Sequence, residues 1–302
     1  MTPQWLAQRE RSNVLAIRFI VWIATVLGRR ATQLFLYPIC LYFVTFSLKA
    51  RRASREYLRR VLDREPTWRD LFRHYFTFAT VTLDRIYLLR GREDPFDIHL
   101  HGEELIAELL AKGQGALLLG AHFGSFEIGR VLGRLRRDHR IRMMMFGENA
   151  QKIQTVLSAL NPEFASSIIS MGKLDSMIKL GHYLNDGEFV GMLGDRLLAD
   201  GNQVSLPFLG APATFPMAPY WLASILKQPV VLMVGLYRGG NRYDLYFEKL
   251  IDVTHVDRKD RARITQEWLK LYVARLEHYC RLAPFNWFNF YDFWETQHKN
   301  PA

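Results

Sequence analysis

His122 and Glu127 lie five positions apart in Gly120-Ala121-His122-Phe123-Gly124-Ser125-Phe126-Glu127-Ile128-Gly129, and both are residue types used in acid–base chemistry. A neutral imidazole can take the proton of a hydroxyl. A carboxylate beside it fixes the ring tautomer and steadies the imidazolium that forms. Glu127 follows one helical turn after the loop, close enough in sequence to fold back toward the ring. The pair reads as a general base that activates a hydroxyl. Ser125 offers another chemistry, a nucleophile served by His122. Its surroundings do not fit G-x-S-x-G, which sets the serine centrally on a sharp elbow.

These residues need a scaffold, and the flanking sequence supplies one. The turn signal Gly113-Gln114-Gly115 precedes the apolar run Ala116-Leu117-Leu118-Leu119, which reads as a short buried strand. His122 then stands at the carboxyl end of a strand, where open α/β sheets keep their chemistry. Gly194-Asp195-Arg196 ends a second apolar run, Glu188–Leu193, in the same kind of position. Asp195 can support the histidine there or form a plain strand-end ion pair, and Arg196 can hold a phosphate or an oxyanion. Arg130, one turn past Glu127, can bind phosphate or pair with Glu127.

Further strands are expected at Ile141–Phe146, Ser166–Ser170, Val230–Tyr237 and Tyr243–Glu248. Helices are expected near Thr67–Leu89, Glu127–Leu135, Gln151–Leu160 and Leu174–Leu184, then from a cap near Thr214 to Leu226, and at Asp260–Arg281. This alternation predicts an α/β fold, a mixed sheet flanked by helices. Val204–Gly210 and Ala211–Pro216 can line a channel for a hydrocarbon chain or form a strand–turn that leads into a helix. Trp287-Phe288-Asn289-Phe290-Tyr291-Asp292-Phe293-Trp294 packs six aromatics into eight residues. Exposed, that run is a docking patch; covered, it is core.

The charge of +10 is unevenly spread. Residues 1–92 hold 17 Lys and Arg against 6 Asp and Glu, a surplus of 11, and the remainder is near neutral. The basic residues border long apolar runs, Val14–Leu27 and the uncharged Ala31–Leu48, and Lys49, Arg51, Arg52, Arg55, Arg59 and Arg60 follow. That combination favours an anionic membrane surface over nucleic acid. Crossing a bilayer takes about 20 apolar residues, so the runs form a tilted helix or a shallow hairpin, or else buried helices of a soluble protein. The chain divides into N-terminal membrane-association helices at 1–92 and a catalytic part at 93–302. Cys40 and Cys280 match no metal or disulfide spacing, and no zinc pattern accompanies the nine histidines.

With these blocks in order, the chain resembles the bacterial lipid A biosynthesis acyltransferases of the lysophospholipid acyltransferase superfamily. The match is carried by His122 with Glu127, by Asp195-Arg196, and by Leu206-Pro207-Phe208-Leu209-Gly210 with Thr214. Ala121 stands where the family has Asn, Phe126 where it has Trp, and Pro216-Met217-Ala218 where it has Gly. The resemblance implies a glycerolipid-acyltransferase-like fold and transfer of a fatty acyl chain from a thioester to a lipid hydroxyl. The donor would be acyl carrier protein or CoA, with no metal or other cofactor. His122 and Glu127 would be catalytic. Phe123, Gly124, Ser125, Pro207, Phe208, Gly210 and Thr214 would bind substrate, and Asp195, Arg196 and Arg130 would support the reaction. It further implies a place on the cytoplasmic face of the bacterial inner membrane. Acceptors in such branches include lipid A, other glycolipids, glycerophospholipids and aryl polyene lipids. A thioesterase that activates water with the same base is the alternative activity, and a non-catalytic lipid-binding protein is the alternative class.

Overall fold

The structure, a computed structural model, describes residues 14–130, 141–146, 167–171, 174–197, 201–252 and 256–294. Three helices come first: α1 (Val14–Phe46), α2 (Leu48–Leu62) and α3 (Trp68–Leu89). Then follow β1 (Asp97–His101), α4 (Glu103–Ala111), β2 (Ala116–Gly120), a single 3-10 turn (Glu127–Arg130), β3 (Ile141–Phe146) and β4 (Ile168–Met171). The chain continues through α5 (Leu174–Asn185), β5 (Phe189–Leu193), β6 (Gln203–Phe208), β7 (Ala211–Pro216) and α6 (Ala218–Leu226). It closes with β8 (Val230–Gly239), β9 (Arg242–Ile251) and α7 (Arg261–Leu282).

Seven strands form one sheet in the order β1-β9-β8-β2-β5-β3-β4. Every neighbouring pair is parallel except β8 with β9. The sheet is therefore mixed and flanked by helices, as the alternation of elements predicts. All five residues of β2 are buried, the signature of a central strand covered on both faces. On one flank, α7 buries Leu269, Tyr272, Val273, Leu276 and Tyr279.

Pro38 lies inside α1 without ending it, and the break falls at Gly28 instead. Its φ of 78° lies in the region that glycine enters without a Cβ penalty. Arg29, the next residue, donates to both oxygens of the buried Asp84 on α3 at 2.7 and 2.8 Å, and the Tyr243 hydroxyl on β9 also donates to Asp84. This contact ties the bent helix to the sheet. Thr67 and Asp70 form a reciprocal capping box that starts α3.

Two expected helices meet the structure only in part. The helix expected from a cap near Thr214 to Leu226 starts at Ala218, after Met217, and ends at Leu226, while Thr214 itself sits in β7 opposite Ser205. Pro216 and Pro219 bracket that start, and the antiparallel pairing with β6 holds the earlier residues extended. The expected helix at Glu127–Leu135 is described only as the turn Glu127–Arg130. Residues 131–140 and the helix expected at Gln151–Leu160 lie outside the described residues.

Candidate active site

Register brings the site together. In the parallel pair β2–β5, Gly120 lies opposite Leu193, the last residue of each strand. The chain beyond each end turns on the same edge of the sheet, and the Gly194 N–H donates to the Gly120 carbonyl at 3.0 Å. Two residues past each strand stand His122 and Asp195. The His122 Nδ1 lies 2.8 Å from Asp195 Oδ1, and the His122 backbone N–H donates to Oδ2 at 3.0 Å.

The loop after β2 is seated on the neighbouring strand β8. Ser125 N–H donates to the Gly235 carbonyl at 2.9 Å, and Gly124 N–H donates to the Asn286 carbonyl at 2.7 Å. Gly124 has φ +51°, and a Cβ there would stand 1.8 Å from the Gly235 carbonyl oxygen. Only glycine permits that approach. Phe123 and Ser125 on either side are buried. The Ser125 hydroxyl has no hydrogen-bond partner among the described residues, so the Ser–His hydrogen bond of a serine nucleophile is not formed.

The sequence reading pairs His122 with Glu127, but the carboxylate on the His122 ring in this structure is Asp195. Glu127 is buried, and its Oε1 makes an ion pair at 2.8 Å with Arg85 of α3. An ionised carboxylate in low dielectric must find a cation, and α3 supplies one beside the 3-10 turn. The Arg130 side chain lies outside the described residues.

Asp195 is fully buried and fully engaged. Its Oδ2 also accepts the indole N–H of Trp287 at 3.1 Å and the Asn289 side-chain N–H at 2.9 Å. Burial would raise its pKa, but the His122 ring, its hydrogen bonds and the Arg196 charge hold the carboxyl well below the usual range. Burial and Arg196 in turn push the His122 ring below its ordinary value, against the pull of Asp195. The His122 ring is therefore mainly neutral near pH 7. Its side chain keeps 28% of its exposure, so the ring can be reached from outside. With Nδ1 on Asp195, Nε2 is the nitrogen available to take a proton.

The aromatic C-terminal run is the wall behind this pair. Trp287, Phe288, Phe293 and Trp294 are buried, which makes the run core rather than an exposed patch. Phe208 packs against it, with ring centroids 5.4 Å from Trp287, 5.9 Å from Phe293 and 6.1 Å from Trp294. Leu209 and Gly210, both at positive φ, turn β6 into β7, and the Leu209 N–H donates to Glu277 of α7. Phe208 and Gly210 thus build the hairpin that supports the wall, while Pro207 is exposed and Thr214 half-buried. Arg196 reaches the same wall, donating to Asn289 Oδ1 at 2.8 Å and to the Phe288 carbonyl at 3.2 Å.

Arg85, Trp287 and Asn289 are parts of this site that the sequence reading did not assign. The run that holds Trp287 and Asn289 was visible, but its partner was not. An asparagine set among aromatic residues is the available signal, because a buried amide demands a polar partner.

A family model described as bacterial lipid A biosynthesis acyltransferase matches residues 14–296. No curated protein matches the chain.

Proposed function

Because the chain belongs to the bacterial lipid A biosynthesis acyltransferase family, whose membership indicates acyltransferase activity, we propose that it moves a fatty acyl chain from a carrier thioester to a hydroxyl of a membrane lipid or glycolipid. The observation that carries this reading is the neutral, reachable His122 ring held on the buried Asp195 carboxylate. Nε2 takes the proton of the acceptor hydroxyl as its oxygen attacks the thioester carbonyl carbon. The new C–O bond forms, the C–S bond breaks, and the departing thiolate receives the proton from the imidazolium. Asp195 stabilises that imidazolium and keeps Nδ1 protonated. Glu127, neutralised by Arg85, holds the turn beneath the loop. The donor is acyl carrier protein or CoA. The acidic carrier protein suits the basic surface of the N-terminal third.

The experiment is a comparison of total lipid extracts by mass spectrometry from cells with and without the protein. A lipid species heavier by one acyl group and present only with the protein is the expected result, and it identifies chain and acceptor together. Free fatty acid that accumulates without such a lipid points to the thioesterase. Identical extracts at equal membrane content count against catalysis and for lipid binding.

The N-terminal helices suit a lipid surface. Among the described residues no single helix is long and apolar enough to cross a membrane, though Gly28–Phe46 and Leu48–Leu62, bent by 93°, pass that test together. Leu34, Phe46 and Leu48 are each 64–68% exposed, with Phe35, Leu41 and Tyr42 also outward. Lys49, Arg52, Arg55 and Arg59 are exposed on α2 just past the bend. An apolar helix followed at an angle by a basic one fits the cytoplasmic face of the bacterial inner membrane, where acyl chains take the first and anionic headgroups the second. Each basic residue near such a surface contributes about 1 kcal/mol. The double variant Arg52→Glu/Arg55→Glu is therefore expected to bind phosphatidylglycerol vesicles at least about tenfold more weakly in co-sedimentation. Equal binding of wild type and variant would remove α2 from the docking surface.

A further inference from the structure

Asn289 is 2% exposed and bridges the two charged residues behind the site. Its Oδ1 accepts from Arg196 Nε at 2.8 Å, and its Nδ2 donates to Asp195 Oδ2 at 2.9 Å. The bridge settles the orientation of the amide. Arg196 only donates, so the oxygen must face it and the N–H must face Asp195. Around Asp195 Oδ2 the three donors are the His122 backbone, the Trp287 indole and Asn289. They pin the carboxylate from one side, and among the described residues Oδ1 is left to the imidazole.

We propose that Asn289 is a positioning residue for the His122–Asp195 pair: its amide disperses and orients the Asp195 charge, and so sets how strongly His122 holds a proton. The role rests on the reading of His122 as the base, but it concerns the proton affinity of the ring and can be measured without a substrate.

The rest of the segment leaves Asn289 little freedom. Asn286 accepts the Tyr237 N–H through Oδ1 at 2.8 Å and donates to the Tyr237 carbonyl at 3.2 Å, which fixes the segment on β8. The Trp287 carbonyl lies 2.8 Å from Nε2 of the buried His74, whose Nδ1 lies 2.8 Å from the Ser54 hydroxyl on α2. The Phe288 N–H donates to the His122 carbonyl at 2.7 Å. Asn289 is thus held within a segment bonded to the sheet, to the N-terminal helices and to the catalytic loop.

Other groups also act on the pair. Arg196 and Arg85 disfavour the charged His122 ring, and Asp195 favours it; Arg85 is itself paired with Glu127. Tyr220 of α6, Tyr272 and Cys280 of α7, and Tyr291 of the C-terminal segment face Asp195 with raised pKa values, burial being the main cause, so they stay neutral near pH 7. None of these changes charge where His122 titrates. A hydrogen bond to a carboxylate spreads its charge, and removing it concentrates that charge on the remaining partner. In Asn289→Leu, which keeps the branched shape and removes the amide, Asp195 loses one donor while Arg196 keeps the Phe288 carbonyl.

The test is an NMR titration of the His122 ring in the full chain carrying 13Cε1-labelled histidine, assigned by comparison with His122→Gln. The His122 midpoint is expected to rise by roughly half a pH unit or more in Asn289→Leu and in Asn289→Ala, with near-UV circular dichroism like wild type. An unchanged or lowered midpoint in a folded variant overturns the proposal. If neither variant folds, Asn289 is a fold residue only, and the proposal is likewise overturned. Acyl transfer is assayed separately on wild type. Its absence would defeat the proposed reaction while the titration still decides the role of Asn289.

Discussion

Asp195→Asn is expected to lower the rate of acyl transfer by about 10⁴-fold, the scale seen when a buried aspartate behind a catalytic histidine is made neutral. The volume is unchanged, so the loss would arise from the proton on His122. An asparagine can present an N–H where Oδ1 now accepts, which favours the tautomer with the proton on Nε2, the nitrogen that must accept from the hydroxyl. It also removes the negative charge that stabilises the imidazolium. Three donors now converge on Oδ2, and an amide oxygen can satisfy them only by turning its NH₂ toward His122. The informative comparison is Glu127→Gln. Glutamine retains an acceptor for Arg85 and leaves the His122 ring on Asp195, so it is expected to keep at least about tenfold more activity than Asp195→Asn. Turnover rates on a common acyl donor, with folding checked by near-UV circular dichroism, provide the comparison. The reverse order would return Glu127 to the role of orienting carboxylate.

That comparison arises where sequence and structure part. The strands Ile141–Phe146 and Phe189–Leu193 and the helices Trp68–Leu89 and Arg261–Leu282 were legible within a residue or two, because each has a clear apolar period or a buried run between turn signals. His122 could be placed at a strand end for the same reason. Local pattern points to Glu127 as its partner, and the structure sets Asp195 on the ring. A short sequence separation argues for Glu127, while Asp195, 73 positions away, is brought in by the parallel register Gly120–Leu193. Pairing of non-neighbouring strands is a tertiary property, and local pattern carries none of it. The aromatic run Trp287–Trp294 was legible as a run and ambiguous in burial, since core and docking surface use the same residues. Its burial follows from the β6–β7 hairpin, whose Phe208 and Phe215 meet it. Strand β1 and helix α4 carry no such marked signal. Strand β1 alternates exposed with half-buried positions at the sheet edge, so it lacks the continuous apolar run that marks β2.

His122→Ala is expected to reduce acyl transfer by about 10²–10⁴-fold, the share of a barrier that a positioned general base supplies, while donor binding stays near wild type. The ring is part-exposed beyond the carboxyl end of β2, so its removal opens no cavity in the core. The decisive measurement follows the label from a radiolabelled acyl-acyl carrier protein incubated with purified protein and vesicles of bacterial membrane lipid. Acyl transfer by His122 predicts label in an acylated lipid with wild type, dependent on acceptor, and almost none with His122→Ala. Label released as free fatty acid whether or not acceptor is present, or transfer by His122→Ala at the wild-type rate, would contradict it.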